Sequence, residues 1–217
     1  MSEIRHIVFD LGNVLLDWDP EIPYRRLIPD DAERRRFLSE VCTFEWNAEQ
    51  DRGRTWREAE DLLVAKHPKL EPLIRAYFEN HHEMVTGPVE GTAAIIEALA
   101  ESGRDITALT NYSAETFPKA ESTYPILGRF RGITVSGRIG MMKPDLAIYR
   151  HHAETFGLTP AATLFFDDNP KNVEGARAAG WRAEVFRSPE LLREDLTRYG
   201  VSLTDRLNLP TTNAPVI

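Results

Sequence analysis

At 217 residues the chain has room for one domain, or for one domain carrying a smaller insert. Hydrophobic residues at 42% and charged residues at 28% give an ordinary globular balance, which excludes a disordered or fibrous chain. With 34 acidic against 26 basic side chains the net charge is −8, which argues against a nucleic-acid or anionic-membrane surface, since both need positive fields. The one cysteine, Cys42, allows no internal disulfide and reads as a small buried apolar group. Residues 1–9 hold no long apolar run, and no stretch approaches the ~18–20 apolar residues that cross a bilayer. A cytoplasmic monomer or homodimer is expected, with no nucleic acid or membrane as partner.

In chain order, residues 4–9 form an apolar run that meets the turn signal DLGN at 10–13, which predicts a buried strand ending at Asp10. Residues 17–88 contain no convincing strand; the expected helices are 30–41, 45–52, 55–66 and 70–83. Asp30 or Asp31 is placed to cap the first, Thr55 with Glu58 to form a capping box on the third, and Pro68 and Pro72 punctuate the approach to the last. A helix at 89–101 then leads to a strand at 106–110, and a further strand is predicted at 132–135. Helix 144–156, strand 163–166, helix 170–179, strand 182–186 and helix 189–199 follow, before an aperiodic tail at 207–217. Strands that are apolar throughout and alternate with helices predict an α/β fold with a parallel sheet flanked by helices. The expected organisation is a core of 1–16 and 89–206, a helical cap of 17–88, and the tail.

In such sheets ligands bind beyond the carboxyl ends of the strands. Polar residues suited to a site stand there: Asp10 after the first strand, Thr110 and Asn111 after the second, and Asp167 and Asp168 after the fourth, with Lys143 just ahead of helix 144–156. Each alone reads as a turn former or helix cap. Together they meet the demands of attack on phosphorus. Asp10 is a carboxylate nucleophile. Asp168, with Asp167 as supporting or alternative ligand, would hold Mg²⁺ beside it. Lys143 offsets negative charge, and the Thr110 hydroxyl and Asn111 main-chain N–H donate to the phosphoryl oxygens.

These residues lie in segments that resemble the haloacid dehalogenase superfamily: IVFDLGNVL at 7–15, ALTN at 108–111, GMMKPD at 140–145 and FFDDNPKNVEGARAAG at 165–180. The resemblance implies a Rossmann-like core and a C1-type helical cap after the first strand. By it Asp10 is the nucleophile, Thr110 and Lys143 act on the phosphate, and Asp167 and Asp168 are the acidic pair. By the same resemblance the main-chain carbonyl of Gly12 is expected as a further Mg²⁺ ligand. Phosphatases of the family carry a second aspartate two residues after the nucleophile as general acid and base, and here Gly12 stands in its place. Such proton transfer contributes ~10²–10⁴-fold. Its loss favours leaving groups that need little help, as in a sugar 1-phosphate, and the DLGN form resembles a bacterial subgroup that includes a glucose-1-phosphate phosphatase.

The expected function is therefore a Mg²⁺-dependent hydrolase of a small phosphorylated metabolite working through an aspartyl-phosphate. A metal-free 2-haloacid dehalogenase using the same aspartate is the alternative, and a non-catalytic binding module another. Against the dehalogenase, a site for an anionic haloacid gains nothing from two additional carboxylates. Selectivity falls to the cap, with Trp18, Asp19, Arg25 and Trp46 as candidates and Asp19 as a substitute proton donor, although the tryptophans also read as helix packing. The His81–His82 pair is a further candidate, although adjacent residues do not share a helix face, which argues against a metal clamp there. His151, His152 and Trp181 read as structural.

Overall fold

The computed structural model describes residues 3–203; the tail expected at 207–217 lies outside them. The chain opens with β1 (His6–Phe9) and β2 (Leu16–Trp18), followed by α1 (Glu21–Leu27), α2 (Asp31–Glu40), α3 (Phe44–Asp51), α4 (Trp56–Lys66) and α5 (Glu71–Glu79). It continues through β3 (Val85–Pro88), α6 (Glu90–Glu101), β4 (Asp105–Thr110), α7 (Phe117–Thr123), β5 (Ile133–Val135) and α8 (Ser136–Ile139). The last elements are α9 (Leu146–Phe156), β6 (Thr163–Asp167), α10 (Pro170–Ala178), β7 (Arg182–Val185) and α11 (Pro189–Arg198).

Five strands form one sheet in the order β5-β4-β1-β6-β7, every pairing parallel. Alternate residues of each strand enter opposite cores. Ile7, Phe9, Ile106, Ala108, Leu164 and Phe166 pack with Ile95, Ile96 and Leu99 of α6 and Leu192 and Leu196 of α11. Val8, Leu109 and Phe165 pack with Ile148 and Tyr149 of α9, Val173 and Ala176 of α10, and Trp181. Both faces are covered, which is why the strands read as unbroken apolar runs. His152 is buried in the second core, held by the Thr107 and Thr134 hydroxyls at 2.9 and 2.7 Å. Burial lowers its pKa to about 3, so it stays neutral.

The interval between β1 and α6 departs from expectation, with α1 as a helix not predicted there. It holds two short strands, β2 and β3, which pair antiparallel at the root of the cap. At three and four residues, and in part exposed, they carry too little alternation to be read from the pattern. Asp30 and Thr55 cap α2 and α4 by accepting from Glu33 N and Glu58 N, whereas the helix expected to run to residue 83 ends at Glu79 and gives way to a 3₁₀ turn over His81–Met84. The cap encloses an apolar core of its own, built on Tyr24, Phe37, Trp56, Ile74 and Tyr77. It is seated on the sheet domain through the segment after α3: the Ser136 hydroxyl donates to Asp51 O at 2.6 Å, Trp56 Nε1 to Ser113 Oγ at 2.9 Å, and Arg52 pairs with Asp145 at 2.9 Å. Gly137 is needed at this seam, because a Cβ there would lie 2.6 Å from Ala114 N.

Candidate active site

β1 is central in the sheet, with β4 on one side and β6 on the other, so the carboxyl ends of these three strands meet in the crevice where the chain reverses its order of strand addition. Asp10 follows β1, and its backbone N–H donates to Phe166 O of β6 at 2.9 Å. Lys143 is fully enclosed and bridges two carboxylates, with Nζ 2.8 Å from Asp10 Oδ1 and 2.6 Å from Asp167 Oδ2. Burial opposes the charge on this ammonium, but Asp10 and Asp167 outweigh it and hold the proton more firmly than on a free lysine. Burial pushes the Asp10 carboxyl well above its ordinary range; Lys143 pulls it down, and Asp167 and Asp168 push it up again. Two bonds reach Asp10, from Lys143 Nζ and from Leu11 N at 2.7 Å, and both fall on Oδ1; among the described residues the lone pairs of Oδ2 stay uncommitted.

The acidic pair divides its work. Asp167 is wholly buried and accepts from Lys143, from Asn172 Nδ2 at 3.0 and 3.1 Å, and from Asn169 N at 2.8 Å. Asp168 is the more exposed of the two and lines the cavity above Asp10; burial and then Asp167 raise its pKa. One carboxylate oxygen each from Asp10, Asp167 and Asp168 lies within 4.8 Å of the others. Three carboxylates against one ammonium leave two negative charges in a low-dielectric crevice, and hard oxygen donors at this spacing suit a divalent cation such as Mg²⁺.

Around this centre the backbone is shaped by few residues. Asn13 adopts φ 54°, a left-handed conformation that asparagine tolerates, and its Oδ1 accepts from Trp18 N at 3.0 Å. That bond turns the chain from β1 into β2. Gly12 lines the cavity, with nothing within 4 Å of where a Cβ would stand, so space is not the reason a second acid is missing. Asn111 binds Lys143 through both ends of its amide, accepting from Lys143 N at 2.9 Å and donating to Lys143 O at 3.0 Å. It therefore positions the lysine as well as facing the cavity. Thr110 is the buried last residue of β4.

The cavity measures about 440 Å³ and lies between the strand ends and the cap. Of the first four cap candidates singled out from the sequence, Trp18 lines it and three do not. Asp19 accepts from Glu21 N at 2.8 Å at the start of α1 and pairs with Arg25 at 2.9 Å, both side chains well exposed; short-range turn chemistry and solvent claim them. Trp46 stands edge-on to Trp56 and Tyr77 at 5.6 and 5.2 Å between centroids, packing the cap interior. The cap wall is instead supplied by Phe44, Asn47, Asp51 and His81. Burial lowers the His81 pKa to about 4 and keeps the ring neutral, whereas His82 plays no part in lining this cavity. Asn47 Oδ1 is buried with no hydrogen-bond partner among the described residues. Sequence reasoning missed Phe44, Asn47 and Asp51, and weighed His81 only as half of a pair with His82. The signal it passed over is Asp51 itself, an acid in the last turn of α3, a turn with no basic residue in it, where the helix dipole disfavours negative charge.

The sequence profile of the haloacid dehalogenase-like hydrolases matches residues 4–180. The chain is 26% identical over 206 residues to a drimenol cyclase of Aspergillus calidoustus, a match covering 94% of this chain and 38% of the cyclase, so this chain spans well under half of that relative. It is 27% identical over 182 residues to a sesquiterpene phosphatase of Aspergillus oryzae, covering 82% of this chain and 88% of the relative. Among solved structures, a magnesium complex of a family enzyme from Bacteroides thetaiotaomicron superposes with a TM-score of 0.67 at 19% identity, covering 86% of this chain and 95% of that one. An L-2-haloacid dehalogenase from Xanthobacter autotrophicus superposes with a TM-score of 0.64 at 19% identity, covering 92% and 85%. At these identities the structures establish the shared fold. Among the described residues no helix is long and apolar enough to cross a membrane.

Proposed function

Because the chain belongs to the haloacid dehalogenase-like hydrolases, we propose that it is a Mg²⁺-dependent phosphomonoesterase acting through an aspartyl-phosphate on a small phosphorylated metabolite, with sugar 1-phosphates as the preferred class. The observation that carries this reading is the Asp10–Lys143–Asp167–Asp168 cluster, whose excess of negative charge a bound divalent cation would offset. A haloacid carboxylate entering the same crevice would meet that charge with nothing to offset it. The phosphatase among its relatives and the magnesium complex among its structural neighbours point the same way.

Asp10, the Gly12 carbonyl and Asp168 would hold the cation, and Asp167 would keep Lys143 in place. Such a cation would supply positive charge that offsets the repulsion between the carboxylate nucleophile and the phosphate. Asp10 Oδ2 attacks phosphorus in line, the bond to the leaving oxygen breaks, and water then attacks phosphorus and frees the carboxylate. Lys143, the Thr110 hydroxyl and the Asn111 N–H stabilise the phosphoryl charge. Asn47 supports a hydroxylated organic half, because its buried Oδ1 lacks a donor that a sugar hydroxyl would supply. Gly12 supports the anomeric position, whose leaving oxygen is less basic than that of a primary alcohol.

A panel of phosphate esters assayed with Mg²⁺ and with EDTA, beside chloride- and fluoride-release assays on 2-haloacids, tests the reading. Phosphate release that needs the metal, with kcat/KM higher for a sugar 1-phosphate than for its 6-phosphate, is expected. Halide release without phosphatase activity, or full phosphatase activity in EDTA, overturns it.

A further inference from the structure

The first-strand loop offers no side chain to protonate the leaving group, yet the cavity is not without an acid on its other wall. Asp51 ends α3, and its backbone is fixed to the sheet domain: Asp51 O accepts from the Ser136 hydroxyl at 2.6 Å, while Arg52 pairs with Asp145 and Trp56 with Ser113. The carboxyl lines the same cavity as Asp10, Gly12 and Asp168. Among the described residues it makes no ion pair; Asn47 Nδ2 stands 3.5 Å from Oδ2. We propose that Asp51, carried by the cap, supplies the proton that position 12 cannot, acting as general acid to the leaving oxygen and then as general base to the attacking water.

The surroundings favour a carboxyl that exchanges its proton near neutrality. Burial raises the Asp51 pKa to about 7, opposed by the charge of Lys143 and by the Ser113 N–H. The other ionisable groups around it are the phenols of Tyr77 and Tyr112, whose own pKa values burial and the Asp51 charge raise, and the neutral His81. Asp10 and Asp168 share the cavity wall. Arg54, one turn on, is taken up by Gln50 and Trp46 O, and Glu115 by the Trp56 N–H. Asp51 also sits at a helix carboxyl end, where the dipole favours the protonated form.

The step balances without further reagents. As Asp10 Oδ2 bonds to phosphorus and the ester P–O bond breaks, the Asp51 proton passes to the leaving oxygen, which departs as an alcohol. The Asp51 carboxylate then takes a proton from water as the water oxygen bonds to phosphorus and the Asp10–phosphorus bond breaks, releasing inorganic phosphate and restoring both acids. The assignment rests on the phosphomonoesterase reading. With this acid present, the preference for sugar 1-phosphates becomes one of degree.

The test compares Asp51→Asn with the unaltered enzyme in the single-turnover rate of leaving-group release, which precedes the hydrolysis step common to all esters, for p-nitrophenyl phosphate, whose leaving group needs no proton, and for a sugar phosphate, whose leaving group does. A loss of ~10²-fold or more for the sugar ester against under about threefold for the aryl ester is expected. The sugar ester should also lose rate as pH rises through about 7 in the unaltered enzyme, and that difference from the aryl ester should vanish in the variant. Asp51→Asn combined with Gly12→Asp should recover part of the sugar-ester rate, since position 12 has room for a side chain. Equal losses on both esters, or no loss on either, overturn the assignment while leaving the phosphatase intact. Absence of phosphatase activity in the unaltered enzyme overturns the underlying reading instead. Should Asp51→Asn not fold, the pH comparison on the unaltered enzyme decides, and parallel profiles for the two esters contradict the proposal.

Discussion

The two walls of the cavity are built on opposite terms. On the sheet side, Lys143 is bonded to Asp10 and Asp167 at 2.8 and 2.6 Å, Asn111 holds its backbone at both ends, and Asn172 and Asn169 saturate Asp167. On the cap side, Asn47 Oδ1 has no partner among the described residues, and the Asp51 carboxyl has only a long contact to Asn47 and the Ser113 N–H. The first wall is preorganised around charge, as attack on phosphorus requires. The second keeps hydrogen-bonding capacity for an incoming molecule. The difference teaches that changes on the sheet side should strike turnover or stability, while changes on the cap side should discriminate between substrates.

The largest effect should follow Asp10→Asn, which is nearly isosteric and should lower kcat by about 10³-fold or more while leaving the thermal midpoint close to that of the parent. Activity retained in that variant would break the comparison at its strongest point. Lys143→Met removes the one cation between Asp10 and Asp167, and breaking a buried pair costs ~3–5 kcal/mol. Asp10, whose carboxyl burial pushes up and Lys143 pulls down, then binds its proton more tightly folded than unfolded. The deficit in urea denaturation should therefore be smallest at low pH and grow as pH rises.

Asp168→Ala should raise the Mg²⁺ concentration needed for half-maximal rate by ~10–100-fold, with Asp167→Asn acting more on stability through the lost Lys143 contact. The smallest effects belong to the cap residues that take no part in proton transfer. Asn47→Leu should raise KM for a sugar phosphate by ~2–10-fold and leave an aryl phosphate nearly unchanged. Arg25→Ala, on the exposed pair with Asp19, should change neither by more than about twofold. A larger effect at Arg25 than at Asn47 would reverse the roles given to the two regions of the cap.

The sheet domain was legible because its signals are local. Ile7, Val8 and Phe9 are apolar on both faces, and Asp10, Thr110 and Asp167 stand at strand ends whatever the rest of the chain does. The helices of the cap could be read from Asp30 and Thr55, but not which of their faces meets the cavity. That depends on how Asp51 and Trp56 dock onto Ser136 and Ser113, residues 85 and 57 positions away. Trp46 misled because an aromatic suits a helix core and a substrate wall equally well. Asp19 misled because nearness to Asp10 in sequence does not survive the turn that Asn13 makes.

The central claim, that Asp10 attacks phosphorus, is tested most directly by a single turnover of a sugar 1-phosphate with Mg²⁺ in water enriched in heavy oxygen, followed by mass analysis of the phosphate and of the peptide that holds Asp10. The account predicts that the peptide carries a phosphoryl group transiently, that the heavy oxygen leaves in inorganic phosphate, and that the Asp10 carboxylate stays unlabelled. Heavy oxygen in the Asp10 carboxylate would mean that water had attacked its carbon, as in hydrolysis of a carbon ester. That result, or turnover with no phosphoryl group on Asp10, would contradict the account.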